Sequence, residues 1–381
     1  MKKSLIALAA LALVGAASAQ TTDGKPGFQI TGNLNAGYVS QNYGGNKVSG
    51  FEQNLLGTSN LYMRGLEDLG GGLKAHFMHG SDIQFMTSSG DQGQMYSATN
   101  TGAAGTFGND QKMVGITGGF GTINFGAINN QTLYGGQVLF TPTVGTSYGG
   151  GFGSVICGSI ACAGAYGVRN DNTMEYKSPV MGGFQVFYQT SAKQNKAINT
   201  NYTTALGILN MPGMTELSAK YSNGPLTVQV VRFDQDATGV GTVAAASQVK
   251  SSLDTMTAAY ALSNGLRISA IRQSYQRGNT AAASVSDKTT TGLSAVYTTG
   301  SNTVMLTSVS AKQNNTALAS FGGKTSKFTG AQYSYALSKM TSVQARWERL
   351  DDAAGTQAFS PSLTTTDRIR VRSGVGINVN F

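Results

Sequence analysis

The C-terminal segment alternates apolar with polar residues over almost its whole length. Residues 367–381 read DRIRVRSGVGINVNF, so every second position from Ile369 to Phe381, Ser373 excepted, is apolar, and the positions between them carry Arg, Gly or Asn. Successive side chains of a β-strand point to opposite faces, so this strand is apolar on one face and polar or cationic on the other. The pattern is typical of a strand lying between lipid and water in an outer-membrane β-barrel. A half-buried strand of a soluble sheet is the alternative for this segment alone.

The N-terminus carries the features of an export signal. Lys2 and Lys3 precede an apolar run over residues 5–14, and Ala17-Ser18-Ala19 fits the small-residue cleavage rule. These features predict a signal peptide over residues 1–19 and a mature barrel domain over residues 20–381. Beyond residue 19 no segment approaches the ~20 apolar residues of a membrane-spanning helix.

The composition agrees with strands that cross a membrane. The chain has 51 Gly, 6 Pro and only 12% charged residues, whereas roughly a quarter of the residues of a soluble protein are charged. Alternation between a lipid-facing and a water-facing side averages to this low charge and moderate hydropathy.

The connections between predicted strands alternate between short and long. We predict about sixteen strands, with tight turns at residues 67–72, 119–121, 179–183, 223–225, 263–265, 300–302 and 338–340. Long connections lie between them, including a polar loop that ends near Ser59, a stretch over about 80–110 and the longest loop over 128–170. Short periplasmic turns, long extracellular loops and an even strand number are characteristic of bacterial outer-membrane barrels. Soluble sandwiches also have many short strands, but they do not confine long loops to alternate connections. The predicted fold is therefore an all-β transmembrane antiparallel barrel in the outer membrane of a Gram-negative bacterium.

Several motifs resemble one family of barrels. GLEDLGGGLKA at 65–75, GGFGTINFG at 118–126, NDNTMEY at 170–176 followed by Ser178-Pro179, YALSKMT at 335–341 and the terminal Phe381 are similar to motifs of the general porins of β-proteobacteria, the neisserial-type trimeric porins. The resemblance implies a sixteen-stranded homotrimeric barrel whose third loop, here about 128–169, folds into the pore. One position departs from the family pattern: the family's fifth strand usually ends in Gly-Arg, and here Ala127 follows Gly126. A wall arginine is therefore missing at that position.

Strand parity predicts which charged residues line the pore. A charge on the lipid face costs ~2–4 kcal/mol at mid-depth, so charged strand residues are expected to point inward. The predicted pore-lining residues are Arg64, Lys74, Lys177, Lys220, Arg346, Arg368, Arg370, Arg372, Glu175 and Glu348. Arg267 is assigned inward only weakly, because alternation in its strand is lost at Ile271 and Arg272.

The charge balance predicts a preference for anions. The loop over 128–169 contains no Asp or Glu, and the whole chain carries a formal net charge of +9 that includes Lys2 and Lys3. In a narrow low-dielectric constriction the wall cations would set the local potential. The predicted function is passive diffusion of small hydrophilic solutes and ions, with anions preferred. A substrate-specific anion channel and an outer-membrane scaffold or adhesin are the alternatives.

Two cysteines lie in one loop of a chain that is predicted to be exported. Cys157 and Cys162 are expected to form a disulfide in an oxidising compartment. Closing so short a loop would stabilise the chain by about 2 kcal/mol on the chain-entropy estimate.

Other chemistry is sparse. His76 and His79 are the only histidines, and a spacing of three places them on opposite faces of a strand, where they cannot chelate one metal together. An outer-membrane hydrolase would need a partner for His76 that the sequence does not mark. We therefore expect no enzyme activity, no cofactor, no metal site and no nucleic-acid partner. The expected partners are small hydrophilic solutes and anions, outer-membrane lipid and further copies of the chain.

Overall fold

The computed structural model describes residues 26–43, 46–53, 59–83, 85–86, 108, 110–141, 169–192, 213–236, 249–279, 286–316, 322–353 and 369–381. The predicted signal peptide, Cys157, Cys162 and Arg368 lie outside the described residues.

The described chain is almost entirely β-structure. The strands are β1 Gly27–Tyr43, β2 Asn46–Gln53, β3 Asn60–Gly70, β4 Leu73–Asp82, β5 Lys112–Gly118, β6 Gly121–Asn129, β7 Arg169–Lys177, β8 Phe184–Ser191, β9 Gly213–Asn223, β10 Leu226–Asp236, β11 Val249–Ala261, β12 Leu266–Asn279, β13 Ser286–Thr299, β14 Asn302–Gln313, β15 Thr325–Ala336, β16 Thr341–Asp351 and β17 Ile369–Asn380. One π-helical segment, Leu133–Val138, follows β6 and is called the loop helix below. Within the described residues, no helix has the length and hydropathy needed to cross a bilayer.

The sheet closes on itself through the first and last strands. β1 pairs antiparallel with β17 along one edge, from Asn33 opposite Asn380 to Tyr43 opposite Arg370. Its other edge pairs with β2 over residues 36–43 and with β3 over residues 27–33. Because β2 and β3 share one position in the ring, the seventeen strands form a sixteen-position barrel, and the predicted fold is confirmed.

The predicted polar loop that ends near Ser59 is wrong, because it contains β2. Lys47 and Ser49 of this strand are exposed on its outward face beside Phe51, so the apolar alternation that identified the other strands is absent. Phe51 instead packs edge-on against Tyr38 of β1, with 5.6 Å between ring centroids. Immediately before β3, Ser59 Oγ accepts a 3.1 Å hydrogen bond from the Asn35 backbone amide.

The first tight turn depends on glycine. Gly70, Gly71 and Gly72 have φ of 83°, 61° and 81°, a left-handed conformation that is unfavourable for residues with a Cβ atom. The Asp68 carboxylate accepts a 2.8 Å hydrogen bond from the Gly70 amide and fixes this turn between β3 and β4.

The C-terminal strand has the predicted parity. Ile369, Val375 and Ile377 are exposed on the outer face, whereas Arg370 and Arg372 are 6% and 7% exposed and point to the opposite side.

In β12 the weak inward assignment of Arg267 agrees with its bond to Leu139 inside the barrel, although apolar and polar residues stop alternating at Ile271 and Arg272. Ile271 is buried and Arg272 exposed, so the alternation of inward and outward side chains continues through both residues. The sequence disguises it because the inward residue is apolar and the outward residue is charged.

Candidate functional site

The segment after β6 runs inside the barrel and crosses from one wall to another. Its first residues hydrogen-bond to β9, and Leu139 near its end accepts a hydrogen bond from the Arg267 guanidinium on β12. Residues 130–141, the described start of the predicted third loop, therefore lie in the lumen. The residues that contact it identify which face of each strand is the interior.

Glu216 on β9 holds the start of the loop helix. Its carboxylate is 1% exposed and accepts hydrogen bonds from the Gln131 amide at 2.5 Å, the Thr132 amide at 2.9 Å and the Thr132 hydroxyl at 2.8 Å. The first amides of a helical segment have no partner within it, so the carboxylate satisfies donors that burial would otherwise leave unpaired.

Glu175 on β7 lies in a second polar cluster beside the first. It accepts hydrogen bonds from Asn124 at 2.8 Å and Gln189 at 2.6 Å, and it forms an ion pair with Lys177 at 2.9 Å. Gln131 of the loop donates a longer bond of 3.4 Å to the same carboxylate. Both acids on this wall therefore bind the loop segment or its surroundings.

Phe140 anchors the end of the loop segment in an apolar cluster on the wall. The ring is fully buried among side chains of β12 to β16, which are Ile271, Val296, Met305, Val309, Ala311, Phe328 and Leu350. Gly292 of β13 makes room for it, because a Cβ atom there would lie 2.8 Å from Phe140 Cζ. Burial of a phenylalanine side chain stabilises a contact by roughly 1.5–3 kcal/mol.

A group of buried arginines lies on the strands at which the barrel closes. We call this group the arginine strip; its members are Arg64 on β3, Arg346 on β16, and Arg370 and Arg372 on β17. Leu350, which belongs to the same apolar cluster as Phe140, is directly opposite Arg370 in the register, so the β17 arginines point to the same interior side.

Two interior glutamates partly neutralise the arginine strip. Glu52 on β2 is 3.1 Å from the Arg372 guanidinium and also accepts a 3.3 Å bond from Gln41. Glu348 forms an ion pair with Arg346. Arg64 bonds to the Thr31 hydroxyl and lies over the Tyr62 ring, 4.6 Å from its centroid. Four arginines and two glutamates leave the group with an excess of two positive charges.

The arginine strip and the start of the loop helix lie on opposite sides of the barrel. In the sixteen-position ring the strip occupies β16, β17 and the β2/β3 position, and β9 is eight positions away from β17. Glu216 on β9 and Gln229 on β10, whose amide donates a 3.2 Å bond to the Gln131 side chain, hold the loop there. Solutes in the lumen would therefore have arginines on one side and the start of the loop helix on the other, while Phe140 at the end of the segment lies in the cluster that includes Leu350 of β16.

The predicted pore-lining residues divide between these two sides. Arg64, Arg346, Arg370, Arg372 and Glu348 belong to the arginine strip or pair with it. Lys177 and Glu175 on β7 and Lys220 on β9 lie on the loop side, and Lys74 is on β4 between them. All three lysines are half-buried.

Ala127, where the family pattern has arginine, is 5% exposed and lies at a register shift between Gly126 and Ile128.

The two histidines lie on opposite faces, as their spacing predicts. His76 points inward, and its Nε2 is 2.7 Å from the Asn124 amide oxygen. His79 has the opposite parity on β4 and lies against Gly108.

Sequence reasoning missed Glu52, Glu216 and Phe140. Glu52 lies in the stretch predicted as loop, and Phe140 contacts the wall through residues far away in the sequence. Glu216 could have been found, because it directly precedes Leu217 and has the same strand parity as Lys220.

Comparison with known proteins identifies the family. The family model described as Gram-negative porin matches residues 5–354. Outer membrane porin protein 32 of Delftia acidovorans is 32% identical over 247 residues, which is 64% of this chain and 62% of that relative, so the match spans less than two thirds of the relative's length. The anion-selective porin from Comamonas acidovorans superposes with a TM-score of 0.73 at 21% identity, covering 94% of this chain and all of that one. The trimer form of OmpT from Vibrio cholerae has a TM-score of 0.61 at 13% identity, covering 93% and 99% of the two chains. The chain belongs to the Gram-negative porin family and is a β-barrel of the outer membrane.

Proposed function

We propose that this chain forms a water-filled pore through which small hydrophilic solutes diffuse passively, with anions preferred over cations. Family membership points to a channel rather than an enzyme. The observation that carries the anion preference is the arginine strip with its excess of two positive charges, together with a loop sequence that contains no acidic residue.

The size of the preference follows from Coulomb's law. One unit charge about 8 Å from an ion in water contributes ~0.5 kcal/mol, and a Debye length of about 10 Å at 0.1 M salt roughly halves this value. Two net charges then separate anions from cations by about 1 kcal/mol, which is a permeability ratio of about five.

The anionic wall groups leave this sign unchanged. Lys177 offsets the charge of Glu175, and Lys220 on β9 offsets that of Glu216 on the same strand. The buried Asp352 that follows β16 is balanced by Lys288, on which its charge acts.

Recordings in planar bilayers test this proposal. Purified protein should insert as conductance steps in symmetric KCl, and the reversal potential across a KCl gradient should have the sign of chloride preference. Absence of conductance would favour an outer-membrane scaffold or adhesin instead.

A substrate-specific anion channel is the second candidate, because the clustered guanidinium groups could bind one anion tightly. In such a channel, millimolar concentrations of that anion would occupy the binding site and lower the chloride conductance, and this decrease would reach a plateau. A diffusion pore would show no such decrease.

We also propose that the chain assembles as a homotrimer; the similar structure of OmpT from Vibrio cholerae is described as a trimer form. Conductance steps that come in groups of three equal levels would support this assembly. A hydrolase centred on His76 is not proposed, because its Nε2 is bonded to an amide oxygen rather than to a serine or carboxylate.

A further inference from the structure

The barrel wall beneath the loop segment carries two buried hydroxyl groups that are not hydrogen-bonded within the described residues. Thr257 on β11 is 0% exposed and Ser269 on β12 is 1% exposed. Neither Thr257 Oγ1 nor Ser269 Oγ has a hydrogen-bond partner in the part of the chain that the structure describes. Nearly all buried polar groups are hydrogen-bonded, because an unpaired polar group away from water is unfavourable. These hydroxyl groups therefore point to a ligand between the wall and the loop segment.

Arg267 on β12 brings a positive charge to the same place. Its side chain is half-buried, and Nη2 donates a hydrogen bond to the Leu139 carbonyl oxygen. The other terminal nitrogen, Nη1, is buried and has no hydrogen-bond partner among the described residues. Burying a charge is unfavourable unless an opposite charge accompanies it. The Leu139 carbonyl is neutral, so its bond does not compensate the charge of Arg267.

The wall around Arg267 does not supply an acidic side chain on the inner face. The interior Arg346 differs in this respect, because it forms an ion pair with Glu348. The sequences of β11 and β12 contain one acidic residue, Asp254. It is exposed on the outer face of the barrel, where it lies 2.9 Å from Arg232. An anion from solution is therefore the counter-charge that Arg267 can obtain.

The loop segment covers Ser269. Arg267, Ser269 and Ile271 are successive inward residues of β12. Arg267 is bonded to Leu139, and Ile271 belongs to the apolar cluster that contains Phe140. The chain at these two loop residues therefore crosses the wall above Ser269, which lies between the two contacts.

Thr257 lies beside Ser269 on the same inner face. It is directly opposite Ile271, the inward residue that follows Ser269 on β12, and the loop helix lies against β11. Diagonal neighbours across a sheet are about 7–8 Å apart, and successive inward residues of one strand are about 7 Å apart. At this spacing the two hydroxyl groups and the end of the Arg267 side chain can contact one ion that lies between them.

The donors at this place select a small monovalent anion. A guanidinium group only donates hydrogen bonds, and a hydroxyl group can donate one, so the three groups together suit a ligand that accepts. A water molecule would satisfy the hydroxyl groups but would leave the positive charge uncompensated. One guanidinium balances one negative charge, and the cover formed by the loop segment excludes large solutes.

We propose that Arg267, Ser269 and Thr257 bind one small monovalent anion, such as chloride, between the barrel wall and the end of the loop segment. The ion balances the charge of Arg267, satisfies the buried donors and holds the loop segment against β12. Because the hydroxyl groups are buried, the bound ion is separate from the solutes that pass through the pore. The site does not depend on the selectivity that the arginine strip would give the pore.

Thermal unfolding of the purified full-length protein in detergent tests the proposal, with potassium chloride compared with potassium gluconate at equal ionic strength. Gluconate is too large for a covered site. The wild type should unfold at a higher temperature in chloride, and the difference should grow with the logarithm of the chloride concentration. Arg267→Gln should abolish the difference. The matched control is Arg272→Gln, which removes an exposed arginine from the outer face of the same strand and should retain it.

Ser269→Ala separates anion binding from the contact of Arg267 with Leu139, because it leaves that contact in place. A hydrogen bond to a charged group is lost, so the same rise in unfolding temperature should need roughly tenfold more chloride. This variant also keeps the test decisive if Arg267→Gln does not fold.

Crystals of the wild type grown in sodium bromide locate the ion directly. The proposal predicts an anomalous bromide peak within hydrogen-bonding distance of Arg267 Nη1 and the Ser269 hydroxyl. Bromide peaks on the arginine strip alone would overturn it, as would a water molecule at the predicted place. Equal unfolding temperatures of the wild type in the two salts, or the same chloride dependence in the wild type and both test variants, would also overturn it.

Discussion

Replacing Glu216 by alanine should release the start of the loop helix from the barrel wall. The carboxylate accepts three hydrogen bonds from Gln131 and Thr132, two of them from backbone amides. Alanine would leave these two buried amides without their acceptor, at a cost of about 1–3 kcal/mol each. The attachment of the loop should therefore weaken by about 2–6 kcal/mol, enough for conformers with a displaced loop to be populated.

Glu216→Gln should have a smaller effect. The side-chain oxygen that replaces Oε1 can still accept both bonds from Thr132, and only the bond from the Gln131 amide to Oε2 is lost. The expected weakening is about 1–3 kcal/mol. Thr215→Ala is the matched control, since Thr215 is exposed on the outer face of the same strand.

Single-channel recording at fixed KCl concentration measures the consequence. Glu216→Ala should raise the mean conductance and the open-channel noise, Glu216→Gln should be intermediate, and Thr215→Ala should match the wild type. A folded Glu216→Ala barrel with wild-type conductance and noise would refute the assignment of Glu216 as the anchor of the loop.

Three further predictions concern other parts of the barrel. Phe140→Ala should lower the free energy of unfolding of the barrel by ~3–5 kcal/mol. Phe125→Ala, at a residue that is 56% exposed on the outer face, should change it little. Equal losses of stability in thermal unfolding would contradict the role of Phe140. Gly292→Ala should disturb the same contact, because the new Cβ would lie 2.8 Å from Phe140 Cζ, and an unchanged unfolding temperature and conductance would argue against this close approach. Trp347 is the single tryptophan and is 40% exposed on the outer wall. Brominated lipids should therefore quench its fluorescence, and aqueous iodide should not. The reverse result would disprove the assignment of Trp347 to the outer face of β16.

Alternation predicted the fold because most barrel strands contrast an apolar outer face with a polar inner one. β17 is the clearest case, and the inward positions of Arg370 and Arg372 follow from its sequence alone. The rule failed in β2 and at residues 271–272 of β12. In β2 the outward face carries Lys47 and Ser49, and in β12 the inward Ile271 is apolar while the outward Arg272 is charged, so residue polarity does not indicate the face at either place.

The path of the third loop could not be derived from local patterns. Its contacts join residues far apart in sequence, such as Thr132 with Glu216 and Phe140 with Gly292. Composition shows that the loop lacks acids, but only the strand order of the closed ring places the start of the loop helix across from the arginine strip.

The reversal potential across a KCl gradient tests the central claim most directly, when it is measured for the wild type and two matched variants. Arg64→Gln with Arg370→Gln removes the excess of two positive charges, whereas Arg372→Gln with Glu52→Gln removes one charge of each sign and keeps the excess. We predict chloride preference for the wild type, a similar preference for the second variant and a clearly reduced preference for the first. A cation-selective wild type, or equal reversal potentials for all three proteins, would contradict the account.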